Sequence, residues 1–259
     1  MPPSPWPFLD APGPLAFAHQ GGGADHPENT MVAFEHAISL GYRYLETDVH
    51  ATADGMLVAF HDHHLDRMTD RSGRISDLPW SVVRRARIAG DHPIVLLEDV
   101  LGAWPEARVN IDPKHDGAVA PLAAVLARTG SVQRVCVGAF SDRRLRRARR
   151  LVGPALCTSL GPLGLARLKI ASKGMPAGRL PAPCAQVPVT SRGVTVTDSS
   201  LVEAAHDRGM QVHVWTIDDP AEMGRLLDLG VDGIMTDRPA TLRKVLEDRG
   251  IWVKRRRSV

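Results

Sequence analysis

The chain has 259 residues, a length that suits one large α/β barrel as well as two small domains. With 44% hydrophobic and 24% charged residues it has the make-up of a soluble globular protein with enough apolar material for a sizeable core. The formal charge of +3 is small for this size, so composition does not point to nucleic acid, and no nucleic-acid-binding motif is recognisable.

The opening stretch, MPPSPWPFLDAPGP, has neither a basic n-region nor an uninterrupted apolar h-region, so no secretory signal is expected there. No stretch is long and apolar enough to cross a bilayer, and a cytoplasmic setting is the expectation. Trp6 and Phe8 are expected to plug the bottom of the fold.

Short apolar or β-branched runs then alternate with amphipathic helices. The runs are Leu15–Ala18, Tyr42–Val49, Arg108–Asp112, Arg134–Ala139, Ala155–Thr158, Pro183–Val187, Gln211–Thr216 and Gly233–Thr236. Helical patterns such as MVAFEHAISLG, APLAAVLARTG, SLVEAAHDRG, AEMGRLLDLG and TLRKVLEDRG follow them, several stopping at a glycine. Strand alternating with helix implies a parallel sheet, and eight repeats favour closure into a (β/α)₈ (TIM) barrel forming a single domain over 1–259. One stretch breaks the rhythm. Residues 51–105, containing TADGMLVAFHD with a turn at Asp54–Gly55 and then a short strand, read as an insertion over the C-terminal mouth.

Polar residues unsuited to a strand interior gather at the strand ends, where a barrel keeps its chemistry. The first strand ends in His19-Gln20-Gly21. The second ends in Glu46-Thr47-Asp48, and strand alternation puts Glu46 and Asp48 on one face. The third gives Asn110-Ile111-Asp112-Pro113-Lys114. Glu46, Asp48 and Asp112 would repel one another unless a cation neutralised them, and three carboxylates make an all-oxygen set suited to Mg²⁺ or Ca²⁺. His61 follows the apolar run 56–60, so it too is a strand-end histidine. Two imidazoles with ordinary pKa values near ~6.5 can act as base and acid at neutral pH. Lys114 can offer positive charge to a phosphate oxygen. No serine, cysteine or threonine sits in a nucleophile-elbow pattern, which leaves water or a substrate hydroxyl as the nucleophile.

Other residues read more simply. His63 and His64 are expected on a surface loop, and His50 and His115 match no ligand position. His213 shares a strand face with Trp215 and suits pocket lining or a structural role equally. Asp237 reads as a cap or turn residue, Asn29-Thr30 as a helix start, and Glu28 as a possible brace of the mouth. The glycine run 21–23 reads as a tight loop. Arg143 to Arg150 reads as a solvated helix face. The basic tail, about 252–259, reads as disordered with at most a peripheral pull towards an anionic membrane. Cys136, Cys157 and Cys184, each in or beside an apolar run, read as buried reduced thiols and not as a disulfide framework or zinc site.

The stretch AHQGGGADHPENTMVAFEHAISLGYRYLETDVHATADGMLVAFHDHHLDRMT, followed by VNIDPK, VHVWTIDD and GVDGIMTDRP, closely resembles the glycerophosphodiester phosphodiesterase family. The resemblance runs from about Leu15 to about Leu246. It implies a barrel, one divalent cation, and release of glycerol 3-phosphate and an alcohol from a small-molecule glycerophosphodiester. Carried over by motif position, His19 and His61 are the catalytic acid–base pair, Glu46, Asp48 and Asp112 the metal ligands, and Gln20, Lys114 and Trp215 the substrate contacts. Gln20 stands where the family usually has arginine, and Asp112 where it commonly has glutamate. A glutamine offers a phosphate one amide but no charge and no bidentate fork. Alternatives are a lysophospholipase D or sphingomyelinase D-like reaction on a lipid, or a degenerate barrel that binds a glycerophosphate without cleaving it.

Overall fold

The computed structural model describes residues 6–253. Parallel strands β1 (Leu15–Ala18), β2 (Tyr44–Ala51), β3 (Arg108–Pro113), β4 (Val135–Val137), β5 (Cys157–Thr158), β6 (Cys184–Pro188), β7 (Gln211–Trp215) and β8 (Gly233–Thr236) run side by side in the order β5-β4-β3-β2-β1-β8-β7-β6. The two ends of that order meet. Ser159 bridges Cys184 in parallel, and the Leu160 amide donates to the Cys184 carbonyl at 2.9 Å, so the sheet closes into a (β/α)₈ barrel. Every expected run is one of these strands, with β2 displaced from Tyr42–Val49 to Tyr44–Ala51.

Each strand leads into an outer helix whose ends are built by local chemistry. The side chains of Thr30, Ser141, Asp198 and Asp219 accept the free amides at the starts of Met31–Ser39, Asp142–Val152, Ser199–His206 and Pro220–Leu229. Gly130 and Gly230 take left-handed conformations that close Val119–Thr129 and Pro220–Leu229. Asn29-Thr30 is therefore the helix start that the sequence suggests.

At the bottom, Phe8 is fully buried and meets Tyr44 edge-on at 5.4 Å, while the Tyr44 hydroxyl donates to the Phe8 carbonyl at 2.9 Å. Trp6 packs against the same apolar cluster, as expected of a plug. The arginine helix is less solvated than its sequence suggests. Arg144 turns in to the Pro113 carbonyl at 2.7 Å and Arg149 to the Thr158 hydroxyl at 2.9 Å, because Leu145 and Ala148 hold that face against the barrel. The basic run Lys254–Arg257 lies outside the described residues.

The insertion begins with a strand, Leu57–Ala59, paired antiparallel to the end of β2. Val58 of this strand forms a small apolar cluster with Phe60, Leu65, Ile75, Val83, Ala86, Ile88 and Ile94 beyond it. The segment ends in helix Leu97–Ala103, which returns the chain to β3. Its effect is to carry His61 to the C-terminal mouth.

Candidate active site

A cavity of about 480 Å³ opens at the C-terminal ends of the strands, lined among others by His19, Glu46, Asp48, His61, Asp112, Lys114 and Trp215. Register explains the convergence. Glu46 pairs with Asn110 and Asp48 with Asp112 across β2 and β3, so alternate residues of both strands point into the barrel together.

The two histidines have parallel arrangements. His19 Nδ1 donates to Asp237 Oδ1 at 2.8 Å, and its Nε2 faces Glu46 Oε2 at 3.7 Å. His61 Nδ1 donates to Asp62 Oδ1, also at 2.8 Å. With Nδ1 committed to a carboxylate in each ring, Nε2 is left as the atom that can take or give a proton. Asp62 is in turn held by Arg67 at 2.6 Å, and Arg67 reaches Glu28 at 2.8 Å. Arg67 also keeps the Asp62 carboxyl down at about 2, so it stays ionised beside His61. Glu28 thus braces the mouth, through a partner that the sequence reading passed over.

The carboxylates are short of positive charge. Lys114 Nζ sits 2.6 Å from Asp48 and 3.2 Å from Asp112, and burial, which would lower it, is outweighed by Asp48 and Asp112, so its pKa rises. Burial, followed by repulsion from Asp48, pushes Glu46 up to about 8 despite the opposing pull of His19 and Lys114. Burial also raises Asp112, and its Oδ1 is a buried oxygen with no hydrogen-bond partner. Burial lowers His19, but Glu46 and the bond to Asp237 prevail and bring it to about 9. Four carboxyl groups therefore contact one ammonium and one imidazole, a surplus of two negative charges when all are ionised. Such a donor set could hold a hard dication.

Two residues stand elsewhere than the sequence suggests. Gln20 is only 6% exposed and is turned away from the cavity, its amide donating to Asp48 Oδ2 at 2.6 Å while its backbone amide meets Glu46 Oε2 at 3.1 Å. The cause is the tight loop. Gln20, Gly21 and Gly22 have φ of 52°, 85° and 102°, and a Cβ on Gly21 would fall 2.7 Å from that of Ala33. Gln20 therefore orients two carboxylates instead of reaching into the cavity. Asp237 is not a cap, since Arg238 occupies that position and no side chain caps the last helix. It is the partner of His19, and its place directly after β8 is the signal that could have identified it.

His50 is buried and donates from Nε2 to the His61 carbonyl, 3.1 Å away, while His63 and His64 are exposed. His213 is fully buried beneath the cavity, its ring 5.1 Å from that of Phe17, so its role is in packing and not in lining. Trp215 walls the cavity and is met edge-on by Phe140 at 5.5 Å.

The model of the Glycerophosphoryl diester phosphodiesterase family matches residues 19–241. A Mycobacterium tuberculosis relative named "Probable glycerophosphodiester phosphodiesterase 2" is 43% identical over 252 residues, covering 95% of both chains. A human lysophospholipase D is 29% identical over 269 residues, covering 89% of this chain and 85% of that one. An Oleispira antarctica phosphodiesterase, solved in complex with the product sn-glycerol-3-phosphate, superposes with a TM-score of 0.75 at 21% identity, covering 90% and 97% of the two chains. With seven of the eight barrel strands and every mouth motif inside the matched span, the chain belongs to the glycerophosphoryl diester phosphodiesterase family and is a phosphoric diester hydrolase.

Proposed function

We propose that the chain hydrolyses glycerophosphodiesters to glycerol 3-phosphate and an alcohol, with His19 and His61 as the proton-transfer pair. The observation that carries this reading is two histidines, each with Nδ1 fixed on a carboxylate, opening onto one cavity floored by Glu46, Asp48, Asp112 and Lys114. One Nε2 removes the proton of the attacking hydroxyl or water and the other protonates the departing alkoxide, each step contributing roughly 10²–10⁴-fold. Asp237 and Asp62 hold the two rings in the working tautomer. Lys114 offers the substrate phosphate a positive charge from the cavity wall.

Glu46, Asp48 and Asp112 are the residues that would hold a Mg²⁺ or Ca²⁺ ion. The unpartnered Asp112 oxygen and the raised Glu46 pKa support this reading, since both describe carboxylates lacking a counter-charge. Bound there, a dication supplies Lewis acidity towards a phosphoryl oxygen. Gln20 belongs to this reading as the residue that aims Asp48.

Release of glycerol 3-phosphate from a panel of glycerophosphodiesters, with Mg²⁺, Ca²⁺ or chelator, tests it. Turnover should need the dication and should fall by roughly 10²–10⁴-fold in His19→Ala and His61→Ala with the fold unchanged. Near-normal rates in both variants would dispose of the assignment.

One observation favours a second reading, cleavage of a lysophospholipid. One wall of the cavity is apolar, built from Phe140, Leu160, Pro162, Leu165, Val196 and Trp215, and Phe140 is 67% exposed at its rim. Choline release from lysophosphatidylcholine exceeding that from glycerophosphocholine would favour it, and Phe140→Ala should then raise KM for the lysolipid alone.

A further inference from the structure

All three cysteines of the chain converge inside the barrel. Cys136 of β4 and Cys157 of β5 are register partners, and Cys184 of β6 lies across the closing seam. Their sulfur atoms all lie within 4.8 Å of one another, with Cys136 and Cys184 4.0 Å apart. None of the three is more than 2% exposed. Gly138, Ser159 and Gln186, further along the same strands on the same face, line the cavity, so the thiols form the layer directly beneath its floor. The proposed hydrolysis makes no use of them.

A solitary buried thiol is a small hydrophobe and needs no further account. Three at this spacing are different. Metal–thiolate bonds of about 2.3 Å in tetrahedral directions place sulfurs about 3.8 Å apart, so the existing cluster is within about an ångström of a coordinating geometry. We infer that Cys136, Cys157 and Cys184 form a thiolate site for a thiophilic d¹⁰ cation of the Zn²⁺, Cd²⁺ or Cu⁺ class.

On binding, each thiol loses its proton to solvent as its sulfur–metal bond forms, and the ion sheds the waters it exchanges for sulfur. Because each sulfur must shed its proton to bind, protons compete with the ion and affinity should rise with pH. The Arg149 guanidinium, held against the Thr158 hydroxyl and the Ser159 carbonyl at the same seam, offsets the negative charge that three thiolates bring. Hard ions suited to the carboxylates above are poor competitors for sulfur. Between the thiols and the cavity lie Gly138, Ser159 and the Gln186 side chain, which donates to Asn110 Oδ1 at 2.8 Å and must swing aside for an ion to enter. A bound ion would tie together β4, β5 and β6 at the place where β5 is only two residues long and the barrel closes.

Titration of the reduced full-length chain with Cd²⁺, in excess Mg²⁺, reads this through the thiolate-to-cadmium charge-transfer absorbance. The band should saturate at one equivalent, Tm should rise by several degrees, and Zn²⁺ or Cu⁺ should compete the band away. Cys136→Ala, Cys157→Ala and Cys184→Ala should each weaken binding at least tenfold, while Asp112→Asn leaves the band intact. Each alanine removes little volume, and circular dichroism checks the fold of each variant; any one that fails to fold leaves the other two to decide. No band in the native protein, or affinity unchanged in the folded alanine variants, would overturn the inference. Neither readout depends on turnover, so its failure is separable from failure of the hydrolase reading.

Discussion

Glu46 and His19 both keep their protons to higher pH in the folded chain than they would in an unfolded one. His19 contributes stability that is complete below its ordinary 6.5 and is lost as pH climbs through about 9. Glu46 adds a penalty that grows from its ordinary 4.5 up to about 8. The two slopes agree in sign, because across this window the folded state binds more protons than the unfolded state. Metal-free protein should therefore lose Tm as pH rises from about 6.5 to 9. Saturating Mg²⁺ or Ca²⁺ should flatten that fall by taking the proton's place at Glu46. Melts in EDTA that are level across the range would contradict the charge balance described for the mouth. Asp237→Asn bears on the same balance. Without the carboxylate, His19 should lose basicity, so the pH–rate profile should move to lower pH and kcat should fall roughly 10–100-fold, the scale of other outer hydrogen-bond partners. An unmoved profile would reduce Asp237 to a bystander. The two mouth histidines and the acidic cluster between them were legible as strand-end residues, but Asp237 was not. A carboxylate before Arg-Pro at a helix start has an equally good local explanation, and only barrel closure brings it beside β1.

The eight strands were legible because each holds a short run rich in apolar or β-branched residues bounded by turn residues, and runs of about four to eight residues are too short to be the outer helices. What the pattern did not carry was loop direction. Nothing in the string His19-Gln20-Gly21 says that the Gln20 amide bends back to Asp48, because the bend comes from contacts with a helix that follows. Gly21→Ala tests that loop. With φ of 85° and a new Cβ set 2.7 Å from that of Ala33, the substitution should cost about 1–3 kcal/mol of stability. It should also lower activity by shifting Gln20 off the carboxylates. Chemical denaturation and turnover measured together check it, and a variant as stable and active as the parent would show the loop to be less constrained than its geometry implies. The arginine helix teaches the same lesson in reverse. Its charge run looked wholly solvated, yet Arg144 and Arg149 are drawn in by the two apolar residues between them.

Across the molecule, the larger apolar cluster spans the barrel and its helices, while the insertion has its own. His19 belongs to the first region and His61 to the second. The proposed proton-transfer pair is therefore divided between two bodies of unequal size, and the smaller has far less buried surface to resist opening. Catalytic function should then be the first property lost on warming or in mild urea. Activity should vanish at a temperature where far-ultraviolet ellipticity is still native, and hydrogen exchange should report earlier opening around Phe60 and Leu65 than in β2. Coincident loss of activity and ellipticity would mean that the two bodies come apart as one.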